Sequence, residues 1–210
     1  MDNRTWYKRF LLSNLSIVFI SGTIVIAIVF SVAYGNVSKE TEKESRTYAE
    51  QVVDGMTTRL KNIELMLAGQ TVNNDAINDF FNGSASAPGL VNYKASNEIA
   101  KMRSNLLIHS VYFYRYKDGL VLTGGYAEPI DDFTDKTFIQ SVPKTTQNRW
   151  SPIRLYSEFP LIDPPERVIS IVKSSRGNEG IIVLNVKVDK LLSMAGSAGT
   201  ELSRGGMVTK

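Results

Sequence analysis

The chain has 210 residues, 43% apolar and 21% charged, which allows one domain of ordinary size with an appendage and excludes wholesale disorder. It contains no cysteine and a single histidine, which excludes a disulfide framework, a thiol nucleophile and most metal sites. The formal net charge is +3, of which the first ten residues supply +2, as Arg4, Lys8 and Arg9 against Asp2. The remainder is nearly neutral and lacks a basic cluster, so we expect no metal, no cofactor and no nucleic-acid partner in this fragment.

A long uncharged segment follows the basic head. No charged residue occurs from Phe10 to Ser38, and Leu15–Ala33 is mostly apolar. A helix over Leu15–Ala33, at ~1.5 Å per residue, spans close to the ~30 Å hydrocarbon core of a bilayer. We predict a cytoplasmic head at residues 1–9 and an uncleaved transmembrane anchor at residues 10–35. Because positive residues stay on the cytoplasmic side, everything after the anchor is expected to be extracytoplasmic.

Apolar residues at steps of three and four predict a long juxtamembrane helix after the anchor, ending near Gly69. They are Ala49, Val52, Met56, Leu60, Ile63 and Leu67. Two interpretations of this stripe stay open. It packs on its own domain, or the Ala49–Leu67 helix forms a homodimer seam, since the same spacing suits a coiled coil.

Turn and capping signals divide the next part of the chain. We predict a short helix through Phe81 capped by Asn74 and Asp75, further helices over 90–106, 133–142 and 190–194, and strands over 108–116, 120–123, 167–173 and 181–188. Asp189 is expected to cap the last helix. No helix of crossover length separates paired strands, so the order predicts an α+β fold with an antiparallel sheet. The Gly- and Ser-rich residues 195–210 are expected to be a truncated linker or the start of another module.

The motifs that suggest catalysis have simpler explanations. Ser141 and Lys144 match the S-x-x-K pair of penicillin-binding enzymes, but Pro143 lies between them and neither S-D-N nor K-T-G occurs. His109 is interpreted as a structural histidine with its hydrogen bonds satisfied. The acidic cluster is interpreted as capping for the helix predicted at 133–142 and consists of Asp131, Asp132 and Asp135. We therefore predict that the protein is not an enzyme.

The candidate ligand-binding residues are aromatic or basic, and they are Trp150, Arg154, Tyr156, Tyr114 and Tyr126. Aromatic walls with guanidinium groups suit a small anion or a carbohydrate. The alternative is that the tyrosines fill the core or coat the sheet. Trp150 and Arg154 have the stronger claim, because they lie on a non-repetitive connecting segment where binding groups often occur.

The basic head, the membrane helix and five blocks in this order resemble the extracytoplasmic Cache-type sensor region of membrane-bound AraC-type transcriptional regulators of Gram-positive soil bacteria. The blocks are Ile108–Gly119, Phe133–Ile139, Trp150–Tyr156, Val168–Ser174 and Gly180–Leu191. The resemblance implies a PAS-like sheet on a long N-terminal helix, followed by a second membrane helix and a helix-turn-helix domain, neither of which this sequence contains. Related sensor regions occur on histidine kinases. The amino-acid signature of some Cache domains is not met, because Trp150 precedes Arg154.

Together these observations predict a single-pass membrane protein whose residues 36–194 form an extracytoplasmic sensor domain. A small ligand, a carbohydrate or an anion, is expected between the sheet and the Trp150–Tyr156 segment. Its binding would be relayed to a cytoplasmic transcription-regulating output outside this sequence. Two alternatives stay open, namely the sensor region of a two-component histidine kinase and a ligand-free, anchored partner subunit of another receptor. The lipid bilayer is the other expected partner.

Overall fold

The first fifty residues are dominated by one helix. A computed structural model describes residues 3–83, 88–144 and 148–195, with side chains from residue 19 onward. It divides the chain into two units, Met1–Glu50 and Gln51–Lys210. Within the described residues one helix is long and apolar enough to cross a membrane, and it lies near the N-terminus. Large apolar side chains such as Phe19 and Phe30 are exposed there, as a lipid-facing segment requires.

Helix α1 spans Asn3–Asn73, so the predicted end near Gly69 is wrong. A single glycine costs a helix only about 1 kcal/mol, and here the helix continues through it. The stop comes at Asn74, whose side chain accepts hydrogen bonds from the backbone N–H groups of Ala76 and Ile77. Asn74 thereby caps helix α2 (Asp75–Asn82), which confirms Asn74 as the predicted cap, whereas Asp75 is the first residue of the helix. Helix α3 spans Pro88–Arg103.

The second unit contains a sheet that is seven-stranded within the described residues and antiparallel throughout, which confirms the predicted α+β architecture. The spatial order is β3-β2-β1-β7-β6-β4, and β5 also pairs with β6. The first and last long strands are therefore central neighbours. The strands are β1 (Ile108–Arg115), β2 (Leu120–Leu122), β3 (Ala127–Pro129), β4 (Arg149–Trp150), β5 (Arg154–Tyr156), β6 (Glu166–Ser174) and β7 (Gly180–Lys187).

Three local predictions are wrong. The connecting segment around Trp150–Tyr156 is not free of regular structure, because β4 and β5 both pair with the edge of β6. Helix α4 spans Lys136–Ser141 and begins three residues later than predicted. Residues 188–195 are helical, so Asp189 lies inside that helix rather than capping it, and its carboxylate pairs with Arg167. Of the predicted tail 195–210, residues 196–210 lie outside the described residues.

The two faces of the sheet carry separate apolar clusters. Alternation along β1 places Phe113 on one face and Tyr112 on the other. The first face packs on α1, α2 and α3 and includes Ile63, Leu67, Phe80, Phe81 and Phe113. The residues of the α1 stripe from Met56 to Leu67 join this cluster, so that part of the stripe packs on its own domain. The homodimer stays a prediction.

Candidate ligand-binding site

A buried ion pair lies on the second face of the sheet. Strand β5 places Arg154 opposite Val168 of β6, and Asp135 comes just before α4. Arg154 Nη1 donates to Asp135 Oδ1 at 2.7 Å, and Nη2 donates to Oδ2 at 2.6 Å. The two side chains are 19% and 8% exposed, so this is a bidentate pair largely removed from water.

Neutral groups of three strands complete the network around this pair. Arg154 also donates to Asn185 Oδ1 and to Ser170 Oγ, both at 3.0 Å. Asn185 Nδ2 in turn donates to Ser110 Oγ at 2.8 Å. Tyr112 Oη donates to Asp135 Oδ2 at 2.5 Å, and burial, followed by the Asp135 charge, raises the pKa of this phenol well above its ordinary value. Tyr112 therefore stays protonated and serves as a donor.

A cavity of about 250 Å³ opens beside the guanidinium of Arg154. It lies among helix α4, the β4–β5 segment and strand β6. Its walls combine two guanidinium groups and two hydroxyls with apolar surface, and the lining residues are Phe138, Ser141, Val142, Arg149, Ser151, Pro152, Arg154 and Val172. The Phe138 ring covers Arg154, with the guanidinium carbon 3.9 Å from the ring centroid. This arrangement can hold a small molecule that has a charged or polar end.

The structure brings together two of the five candidate residues. Arg154 lines the cavity, and the Tyr156 ring packs against it, 5.3 Å from the guanidinium carbon to the ring centroid. Tyr156 is buried, and its hydroxyl lacks a hydrogen bond of good geometry, although Ser110 lies beside it. Burial raises the pKa of Tyr156. Tyr156 therefore supports Arg154 from behind and does not line the cavity.

The other three candidate residues lie elsewhere. Trp150 belongs to the helix-facing cluster, and its Nε1 donates to Glu64 Oε1 of α1 at 2.7 Å. Tyr114 lies on the cavity face of the sheet, but its ring pairs with that of Tyr116 rather than lining the cavity. Tyr126 follows β2, and its ring lies 6.2 Å from that of Phe159.

Several residues of the site were not selected from the sequence. Asp135 was assigned to capping, yet its side chain makes no cap hydrogen bond and binds Arg154 instead, so that assignment is wrong. Asn185 did carry a signal, because it is the polar residue inside the apolar strand Gly180–Lys187. Arg149 and Phe138 carried no signal that distinguishes them from other arginines and phenylalanines of the chain.

His109 differs from its prediction as well. Its Nδ1 is buried and has no hydrogen-bond partner among the described residues, so its hydrogen bonds are not all satisfied. Its Nε2 lies 3.9 Å from a carboxylate oxygen of Glu166. Burial lowers the pKa of His109 below 6.5, and the Glu166 charge only partly offsets this. The imidazole is therefore neutral at pH 7.

Comparisons with known proteins identify the fold. No protein-family model matches the chain, and no curated protein matches it. Among solved structures, the extracellular domain of a candidate histidine kinase aligns with a TM-score of 0.54 and 15% identity, covering 75% of this chain and 62% of that one. A domain of a candidate sensory box/GGDEF family protein from Vibrio parahaemolyticus aligns with a TM-score of 0.51 and 14% identity, covering 73% and 64%. The sensory domain of a Campylobacter jejuni chemoreceptor, with isoleucine bound, aligns with a TM-score of 0.44 and 18% identity, covering 72% and 63%.

The chain therefore spans somewhat under two thirds of the length of these neighbours. At 14% and 15% identity, the first two alignments show a shared fold. The protein has the fold of extracellular sensory domains of the Cache or PAS-like type, which confirms the predicted fold class.

Proposed function

We propose that the protein is a membrane-anchored extracytoplasmic sensor domain that binds a small ligand and is not an enzyme. The observation that carries this proposal is the cavity of about 250 Å³ beside the Arg154–Asp135 pair. The contacts of Ser141 and Lys144, the pair that could suggest a nucleophile, argue against nucleophilic catalysis, because each side chain is engaged with a different residue. Ser141 Oγ donates to the Phe138 carbonyl at 2.7 Å, and the Lys144 ammonium lies 5.6 Å from the Tyr116 ring centroid.

Strand β4 supplies a route from the cavity to helix α1. Arg149 and Ser151 line the cavity, whereas Trp150 between them faces the other side of the sheet and donates its hydrogen bond to Glu64. A ligand that displaced β4 would therefore change the contact between Trp150 and α1. The ligand can shift this equilibrium only by its differential affinity for the two arrangements.

The output is proposed to lie in the cytoplasm. The resemblance of the sequence blocks supports an AraC-type transcription-regulating output. A histidine kinase output is supported equally, because one neighbouring structure is the extracellular domain of a candidate histidine kinase. Both require the head at residues 1–9 to be cytoplasmic and the sensor to be outside.

The orientation can be tested by cysteine labelling, since the chain has no cysteine of its own. We expect a membrane-impermeant maleimide to label Ser45→Cys in intact cells, and to label Asn3→Cys only after the cells are opened. Labelling of Asn3→Cys in intact cells, with Ser45→Cys protected, would refute the proposed orientation.

Ligand binding in the cavity can be tested by measuring the unfolding temperature of the full chain, in lipid nanodiscs, with each compound of a library of small metabolites. We expect at least one compound to raise the unfolding temperature, since a ligand that binds only the folded state stabilises it. Ser141→Trp, which fills the cavity from α4, should abolish that shift. Ser193→Trp is a matched control on an exposed helical site away from the cavity and should retain it. Equal shifts in both variants, or no shift in the unmodified chain, would refute the proposal.

A further inference from the structure

The charged side chains that line the cavity are all positive among the residues that the structure describes. Its lining includes Arg149 and Arg154 and contains no carboxylate. Asp135, the acid bound to Arg154, is not part of the lining. Both of its oxygens accept hydrogen bonds from Arg154, and one also accepts from Tyr112. The described lining of the cavity therefore offers no free carboxylate that could pair with a ligand's ammonium group.

The two arginines differ in how much of their positive charge and how many of their N–H groups remain free to bind a ligand. Four of the five N–H groups of a guanidinium are used by Arg154, for Ser170, Asn185 and the two oxygens of Asp135, which leaves one N–H on Nη1. Arg149 is exposed and forms no ion pair with any residue that the structure describes. The uncompensated positive charge of the cavity is therefore that of Arg149.

The remaining walls offer few hydrogen bonds. Phe138, Val142, Pro152 and Val172 are apolar. The Ser141 hydroxyl donates to the Phe138 carbonyl at 2.7 Å, and the Ser151 hydroxyl donates to the Pro152 carbonyl at 2.8 Å. Both hydroxyl hydrogens are engaged, so these serines can only accept. A carbohydrate, with hydroxyls along its whole body, would bury several of them without partners.

We propose that the cavity binds a small organic monocarboxylate with an apolar body and no α-ammonium group. Its carboxylate faces Arg149 and the remaining N–H of Arg154, and its body packs on Phe138, Val142 and Val172. This proposal rests on the proposed function of the cavity. A volume of about 250 Å³ exceeds the ~150 Å³ of an apolar cavity that binds benzene, so it has room for a branched aliphatic or a phenyl-substituted acid. An amino acid of the same skeleton would bury its ammonium without a counter-charge, which is costly.

The test compares probes that differ in one group. We would titrate the full chain in nanodiscs, by calorimetry, with 4-methylpentanoate, its amide and leucine, and then with 3-phenylpropanoate, its amide and phenylalanine. In at least one set we expect the carboxylate to bind about tenfold or more tightly than the amide and the amino acid. Arg149→Gln should weaken carboxylate binding about tenfold without changing the unfolding temperature, because Arg149 is exposed. Arg176→Gln, an exposed arginine on the β6–β7 turn, is the control and should change neither.

The outcomes separate this proposal from the one on which it rests. An amino acid that binds as tightly as the matching carboxylate would overturn the proposed ligand class and leave the sensor function standing. If the carboxylate binds but Arg149→Gln does not weaken its binding, the proposed ligand class is likewise overturned and the sensor function still stands. If no probe binds while library compounds still bind in a manner that Ser141→Trp abolishes, the ligand class is wrong. If no compound of either kind binds, both proposals are refuted.

Discussion

The Arg154–Asp135 pair predicts a large and specific loss of stability when its acid is neutralised. Asp135→Asn keeps the shape of the side chain and its acceptor for Tyr112, but leaves the Arg154 guanidinium, 19% exposed, without a counter-charge. Removing one partner of a buried pair costs ~3–5 kcal/mol, and since Arg154 retains some contact with water we expect about 3 kcal/mol. A domain of this size loses ~2–4 °C of unfolding temperature per kcal/mol, so the expected drop is about 6–12 °C.

The assay is thermal unfolding of the full chain in nanodiscs, monitored by differential scanning calorimetry. Asp131→Asn is the matched control, because Asp131 pairs with Lys136 at 2.6 Å but its side chain is 78% exposed, and such pairs contribute only ~0–1 kcal/mol. In an Arg154→Met background, Asp135→Asn should cost at least about 2 kcal/mol less than it does alone. Equal costs for Asp135→Asn and Asp131→Asn would show that the buried pair does not stabilise the fold.

Four further predictions concern other parts of the second unit. Gly180→Ala should destabilise the domain by about 1–3 kcal/mol or more in chemical unfolding, since the new Cβ would overlap the Tyr114 carbonyl oxygen of β1 and the Phe81 ring. Gly69→Ala, with open space around it in α1, should instead stabilise by about 0.5–1 kcal/mol, and the same sign for both would contradict the packing. The pKa of His109, read by NMR from the one histidine of the chain, should lie below 6.5, so its contribution to stability is present above pH 6.5 and lost as the pH falls through the folded-state pKa. A normal pKa would show that the ring is solvated. Trp150→Phe should raise the pKa of Glu64 in a carboxyl titration, because the Trp150 hydrogen bond is the main cause of its lowering, and an unchanged pKa would refute that contact.

The fold could be predicted where residues repeat at a regular spacing. The steps of three and four that include Ile63 and Leu67 define the buried side of α1, and the β-branched and aromatic run of β1 defines a central strand. The edge strands β4 and β5 could not be predicted this way, because two and three residues are too few to show a period. They exist because β6 offers them its backbone hydrogen-bonding groups, which is a long-range condition.

The candidate site could be predicted from the sequence only in part, for a related reason. Arg154 could be selected by its chemistry, but Asp135 lies nineteen positions away along the chain, and an acid before a helix normally predicts a cap. The sequence around Asp135 is equally compatible with a helix cap and with a buried ion pair. The choice is made by the pairing of β5 with β6, which brings Arg154 over the end of α4 and buries the acid against it.

The position of Trp150 follows from the register of the same two strands. Trp150 and Arg154 are four residues apart and would share a face on one continuous strand, because side chains alternate with a period of two. Instead Trp150 pairs with Ile171 and Arg154 pairs with Val168, three residues apart on β6, so the two side chains lie on opposite faces. The break between β4 and β5, which contains Pro152, supplies this offset. It allows one short segment to present Arg154 to the cavity and Trp150 to helix α1, which an unbroken strand could not do.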